Sequence, residues 1–361
     1  MTTPDAALDG TAPSDVDPPV FDGHNDTLLR LTEAGGPVAL DAFASGGPHA
    51  LDLPKARAGG FAGGLFAIWV PSPGALGVED PPGPYDHPLP GALDRAGAET
   101  WTLAQAELLV EMDRRGDVAL CRTAAEIRAA MAAGRLAAVM HLEGADGIGA
   151  DLALLDTLHG MGLRSLGPVW SRPTVFGVGV PNRFPAGPDI GPGLTEAGQA
   201  LVRRCNDLRI VIDLSHLNEA GMRDVARIST APLVASHSNP HRLSAHARNL
   251  TDDQLAMIRD SDGLVGVNFC AAFLREDGRR SADIPVERVV EHIDALMESL
   301  GEDRVGLGSD YDGALMPEAL KTAAGLPALR GAMRARGYPE ALMAKICHGN
   351  WLALLERTWG A

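Results

Sequence analysis

The sequence predicts a single (β/α)8 TIM-type barrel with its active site at the C-terminal ends of the strands. Two observations carry that expectation. Eight short apolar runs, at residues 19–23, 64–70, 136–141, 164–169, 209–214, 232–236, 263–268 and 304–309, are rich in Val, Ile and Leu. They show little polar alternation, as strands buried on both faces should. Reactive side chains follow several of these runs closely: His24 and Asp26, Glu143, His216, His237 and Asp310. Ligands at the ends of successive strands are how an α/β barrel assembles a site.

Helical patterns lie between most of the runs. Residues 101–114 set Leu103, Ala106, Leu109 and Val110 on one stripe. Residues 123–133 open on Thr123 with Glu126 three positions on, a capping box. Residues 195–208 also open on a Thr, ahead of Leu201, Val202 and Leu208. Residues 251–259 and 286–300 continue the series, and 339–358 read as a terminal helical segment. A doubly wound sheet would need a Gly-rich phosphate turn or a switch-point site, and no G-x-G-x-x-G follows the first run. Strand-then-helix repetition therefore favours the barrel. Two Pro/Gly-rich segments, 71–91 and 173–193, each follow a strand on the expected site face. Such loops act as lids or substrate walls, or are solvated insertions. The division read from the chain is a flexible acidic tail at residues 1–18 and a catalytic barrel with C-terminal helices at 19–361.

Charge and composition narrow the partners. The 361 residues carry a formal charge of −16, which argues against nucleic acid, because phosphate binding needs clustered Lys and Arg. No basic amphipathic stretch points to a membrane surface, and no apolar run reaches the roughly 18 residues of a spanning helix. Residues 1–19 lack a basic segment followed by an apolar one, so no secretory signal is read there. The four cysteines, Cys121, Cys205, Cys270 and Cys347, are far apart, fitting reduced buried thiols. The expectation is a cytoplasmic protein, with a homodimer as the default assembly.

The residue types fix the chemistry. His24 and Asp26 are two apart, so on an extended strand end they face one side and can share a cation. An imidazole and a carboxylate together suit zinc or another divalent metal. Glu143, with two oxygens, can bridge two cations. His216 and His237 each end an apolar run followed by Ser-His, and neutral imidazoles would complete a second site. Asp310 is placed as a proton carrier. Asp312 reads as a turn residue with Gly313. Arg248, in the loop after His237, can grip a substrate carboxylate bidentately.

Taken in this order, Asp22-Gly23-His24-Asn25-Asp26, Glu143-Gly144, Ile212-Asp213-Leu214-Ser215-His216, Ser236-His237-Ser238, Arg248-Asn249, Gly308-Ser309-Asp310-Tyr311-Asp312-Gly313 and Gly349-Asn350 resemble the membrane (renal) dipeptidase family of amidohydrolase-type barrels. The resemblance runs from about residue 21 to 355. It implies two zinc ions, with His24 and Asp26 on one, His216 and His237 on the other, and Glu143 bridging. It implies that Arg248 binds the substrate's C-terminal carboxylate and that Asp310 transfers the proton. The implied substrate is a dipeptide, with a D-residue tolerated at the C-terminal position.

The sequence also departs from the mammalian pattern. Trp170 stands where a substrate-contacting His is expected after the fourth strand, and Arg172 is the nearby side chain able to substitute. Cys270 of Asn268-Phe269-Cys270 replaces a Tyr after the seventh strand. Trp170 and Asn268 are accordingly read as substrate-side positions. Trp170 keeps open a related barrel hydrolase acting on another amide, an N-acyl amino acid or a lactone. A barrel retained only for binding is a weaker rival, because every ligand position and Asp310 are present.

Overall fold

The computed structural model describes residues 17–72 and 83–360. Within these, eight parallel strands form the barrel: β1 Val20–Asn25, β2 Phe61–Trp69, β3 Ala137–Glu143, β4 Leu163–Gly167, β5 Val211–Ile212, β6 Val234–Ala235, β7 Leu264–Val267 and β8 Val305–Leu307. Each falls on one of the eight apolar runs. Strands adjacent in sequence are adjacent in space, and β1 pairs in parallel with both β2 and β8. Asp213 and Val234 form a parallel bridge at the β5–β6 seam, and the Leu214 N–H donates to the Val234 carbonyl at 2.7 Å. The expected (β/α)8 barrel is the observed fold.

Helices cover the outside. The Thr123 capping box forms as read, with Glu126 returning the bond, and Thr251 and Gln254 form another. The helix read at 101–114 begins earlier, at Arg95, because the Asp94 side chain accepts from the Gly97 N–H. Helices Ala153–Met161 and Glu219–Ile228 had no clear sequence signal. The first has no side-chain cap, and the second is capped by Asn218, which sits two residues after a site histidine.

The core has two parts. Strand and helix side chains pack around the barrel's outside. A second cluster joins Phe21, Leu65, Val139, Val211, Val234 and Leu264 from six strands with Trp351, Leu352, Leu354 and Leu355 from the last helix, Asn350–Trp359. That helix plugs one end of the barrel. Trp351 is fully buried and donates from Nε1 to the Leu307 carbonyl at 2.9 Å. Gly23 and Gly306 leave it room, since a Cβ at either would meet its ring. Truncating Trp351 to Ala should cost about 3–5 kcal/mol, read as a lowered midpoint in denaturant unfolding.

With that end filled by apolar side chains, the other end carries the polar residues. Both Pro/Gly-rich segments reach it. Tyr85–His87 pairs antiparallel with Asn182–Phe184, tying the two loops together across the mouth. Residues 73–82 of the first loop, and residues 1–16 of the expected tail, lie outside the described residues. Asp17 pairs with Arg330 and Arg334. All four cysteines are free and buried. Among the described residues no helix is long and apolar enough to cross a membrane.

Candidate metal centre

Strand ends bring five of the predicted side chains together at the mouth. His24 lies near the end of β1, and its Nε2 is 3.4 Å from Asp26 Oδ2 and 3.7 Å from Glu143 Oε2. Glu143 is the last residue of β3. Its other oxygen, Oε1, is 2.9 Å from His216 Nε2 and 3.3 Å from His237 Nε2. Those two ring nitrogens are 3.1 Å apart, and the His24 and His237 rings stack at 3.8 Å. One carboxylate thus faces all three imidazoles. His24, Glu143 and His237 form one set able to hold a cation; His24, Asp26 and Asp310 form another.

Asp310 takes a left-handed backbone conformation, φ +64°, which turns its carboxylate into the mouth. Gly313 makes this possible, because a Cβ there would run into the carboxylates of Asp26 and Asp310. Asn268 donates from Nδ2 to Asp310 Oδ2 at 3.0 Å and accepts the Cys270 N–H at 2.6 Å. The Asn268 side chain is buried against Asp310 and does not line the cavity. Asp312 accepts N–H groups from Ala50 and Leu51 and so joins two loops, consistent with a structural part.

The electrostatics fit a cation. Burial, then the Asp26 charge, raises Asp310 to about 7. Burial, then Asp312, raises Asp26 to about 7. Glu143 is pushed well above the carboxylate range by burial, Asp26 and Asp310. Burial drives the three imidazoles the other way, toward the neutral form that binds metal. Both ring nitrogens of His24 are buried without a hydrogen-bond partner. Buried polar atoms are normally paired, and a divalent ion would satisfy these and hold the carboxylates ionised.

Above this cluster is a cavity of about 290 Å³. Its wall includes Arg248, Trp69, Trp170, Cys270 and Phe273, together with His87, Pro88, Leu89 and Asn182 from the two tied loops. The Arg248 guanidinium lies over the Phe273 ring at 5.3 Å and donates to the His237 carbonyl. Its Nε has no partner.

Arg172 does not reach the cavity. It is fully buried, forms two bonds to Asp146 at 2.8 and 2.9 Å, and donates to the Val70 carbonyl and Ser72 Oγ. It packs against the Trp69 and Trp170 rings from behind. The substitution considered for it from the sequence is therefore not available, and Trp170 itself forms the wall. Replacing Arg172 with Met would strand Asp146 as a buried charge. That should cost about 3–5 kcal/mol of stability, measurable by denaturant melting.

The sequence reading missed the supports behind the ligands. Ser171 Oγ is 2.8 Å from His216 Nδ1, and Ser236 Oγ is 2.8 Å from His237 Nδ1. Asp213 grips Ser236, and Asp22 grips Ser309. A signal existed for the two acids: each is the one carboxylate of an otherwise largely apolar strand run. Ser171 is distant in sequence from His216 and left no such mark.

A barrel mouth built this way belongs to the metal-dependent hydrolases. More particularly, the chain belongs to the membrane dipeptidase family, peptidase family M19, whose family profile matches residues 15–359. It is similar to a metallo peptidase from Rhodobacter sphaeroides, solved with a phosphinate mimic of the dipeptide L-Ala-D-Ala. That structure matches with a TM-score of 0.92 at 55% identity, covering 95% of this chain and 100% of that one. The dipeptidase AC, a metallo peptidase of the same family, matches with a TM-score of 0.92 at 56% identity over 96% of this chain and 100% of its own. An uncharacterized protein in the pqqA 5′ region of Klebsiella pneumoniae is 48% identical over 244 residues, 68% of this chain and 90% of that protein. The chain is a metallo-dipeptidase, a hydrolase of peptide bonds.

Proposed function

We propose that the chain is a zinc-dependent dipeptidase that holds two zinc ions and accepts a D-residue at the C-terminal position of its substrate. One observation carries the metal reading: the His216 and His237 Nε2 atoms both turn to the same Glu143 oxygen, 3.1 Å from each other. A cation there would meet both imidazole nitrogens and the carboxylate oxygen at once. In this reading His24 and Asp26 would hold one ion and His216 and His237 the other, with Glu143 available to both. The L-Ala-D-Ala mimic bound by the Rhodobacter sphaeroides relative supports the substrate stereochemistry.

Divalent ions held there would supply Lewis-acid polarisation of the scissile carbonyl and an acidified water near neutral pH. The chain's residues do the rest. Asp310 accepts the attacking water's proton and returns it to the leaving amine. Asn268 fixes the Asp310 carboxylate and shapes substrate binding from behind it. Arg248 holds the substrate's free carboxylate as a charge-assisted pair. Trp170 and Trp69 give the wall an apolar surface and exclude water.

Zinc-reconstituted protein should cleave dipeptides with D- and L-residues at the C-terminal position, and chelator should stop it. Failure on every dipeptide, with metal bound, would sink this reading. Arg248→Met should raise KM for free-carboxylate dipeptides about 10- to 100-fold, the worth of one hydrogen bond to a charge. Amidated dipeptides should respond far less. An unchanged KM would remove Arg248 from carboxylate binding.

A further inference from the structure

Behind His237 stands a three-group relay. Ser236 Oγ is 2.5 Å from Asp213 Oδ2 and 2.8 Å from His237 Nδ1. Asp213 Oδ1 accepts the N–H groups of Ser236 at 2.8 Å and Ser215 at 3.1 Å. All four groups are buried, so no solvent competes for these bonds. The carboxylate accepts at both oxygens, so the Ser236 hydroxyl gives its single hydrogen to Asp213. Toward the imidazole that hydroxyl can then only accept. Nδ1 must carry the ring hydrogen, and Nε2 keeps its lone pair.

The geometry points to Asp213 as a positioning residue that acts through the Ser236 hydroxyl to fix the tautomer of His237 and turn its Nε2 lone pair into the metal site. A similar clamp sits across the barrel, where Asp22 accepts the Ser309 N–H at 2.7 Å and its hydroxyl at 2.8 Å. There the Ser309 oxygen accepts a backbone N–H, that of Tyr311, and no ring depends on it. The Asp213 clamp differs because its far end is an imidazole. The inference rests on the reading of His237 as a metal ligand.

An Asp213→Asn substitution inverts the relay rather than merely weakening it. Two N–H groups converge on Oδ1, so the amide must place its oxygen there. Its NH2 then faces Ser236 Oγ and donates to it. The hydroxyl hydrogen is released toward His237 Nδ1, which must become the acceptor, so the ring hydrogen moves to Nε2. A ring protonated at Nε2 offers no lone pair to the site.

The test uses the full chain labelled with 15N-histidine. Its His237 signals are identified by their loss in His237→Ala. In metal-free protein, wild type should show His237 protonated at Nδ1, and Asp213→Asn should show it protonated at Nε2. Ser236→Ala keeps the Oδ1 contacts and removes the hydroxyl, so it should give a mixture of tautomers. Titration of zinc alone against a chelator should find one of two sites weakened about 10- to 100-fold in Asp213→Asn, the usual effect of losing a partner behind a ligand. A wild-type tautomer in Asp213→Asn overturns the relay, even if melting temperature falls. Unchanged zinc affinity beside an inverted tautomer overturns the link to the metal. If His237→Ala binds zinc as tightly as wild type, the ligand reading fails, and the proposal with it.

Discussion

His216→Ala should lose one metal of the two proposed and lower kcat/KM by about 10³-fold or more, several kcal/mol of transition-state stabilisation. Its Nε2 lies 2.9 Å from Glu143 and 3.1 Å from His237 Nε2, at the centre of the cluster. The ring is anchored from behind by Ser171, whose Oγ lies 2.8 Å from Nδ1. Elemental analysis and turnover together check this. Full metal content with normal turnover would remove His216 from the ligand set. Metal affinity should also follow pH. Asp26 and Asp310 are raised to about 7 by burial and by neighbouring carboxylates, so below that pH the metal-free carboxyls hold protons. A cation must displace them. Zinc affinity should therefore be full above about pH 7 and fall as the solution is acidified, with proton release on binding detectable by calorimetry.

Asp310→Asn should slow turnover by about 10²- to 10⁴-fold, the range for loss of a general acid–base group. The amide is nearly isosteric, and Asn268 could still pair with its oxygen, so metal content and fold should survive. KM should change little, since the role proposed for Asp310 is on the proton and not on substrate anchoring. That split separates proton transfer from a ligand role: loss of metal along with turnover would reassign Asp310 to the His24–Asp26 set, to which it lies close. Near-normal turnover would end its assignment as proton carrier.

Much of the site was legible because barrels encode it locally. His24, Glu143, His216, His237 and Asp310 each lie at or just after a strand end, and an apolar run followed by a polar ligand is visible without knowing the partner strand. The eight runs located the strands for the same reason: strands buried on both faces have no room for polar alternation. The capping box at Thr123 was readable because both partners lie within four residues.

What depends on contacts between distant segments was not legible. The fate of Arg172 is the clearest case. Its sequence neighbourhood offers it to the substrate, but Asp146, Val70 and Ser72, brought in by two other loops, hold it behind the tryptophans. Trp351 looked like any apolar residue of a terminal helix until the barrel closed beneath it. The sequence by itself determined the barrel, the order of its strands and the identity of the side chains at its mouth, because each is written in a short stretch of chain. Only the tertiary structure decided which oxygen faces which imidazole, which serine backs which histidine, and that Arg248 but not Arg172 lines the cavity. Those are distances of about 3 Å between residues far apart in sequence, and they exist only once the strands stand side by side.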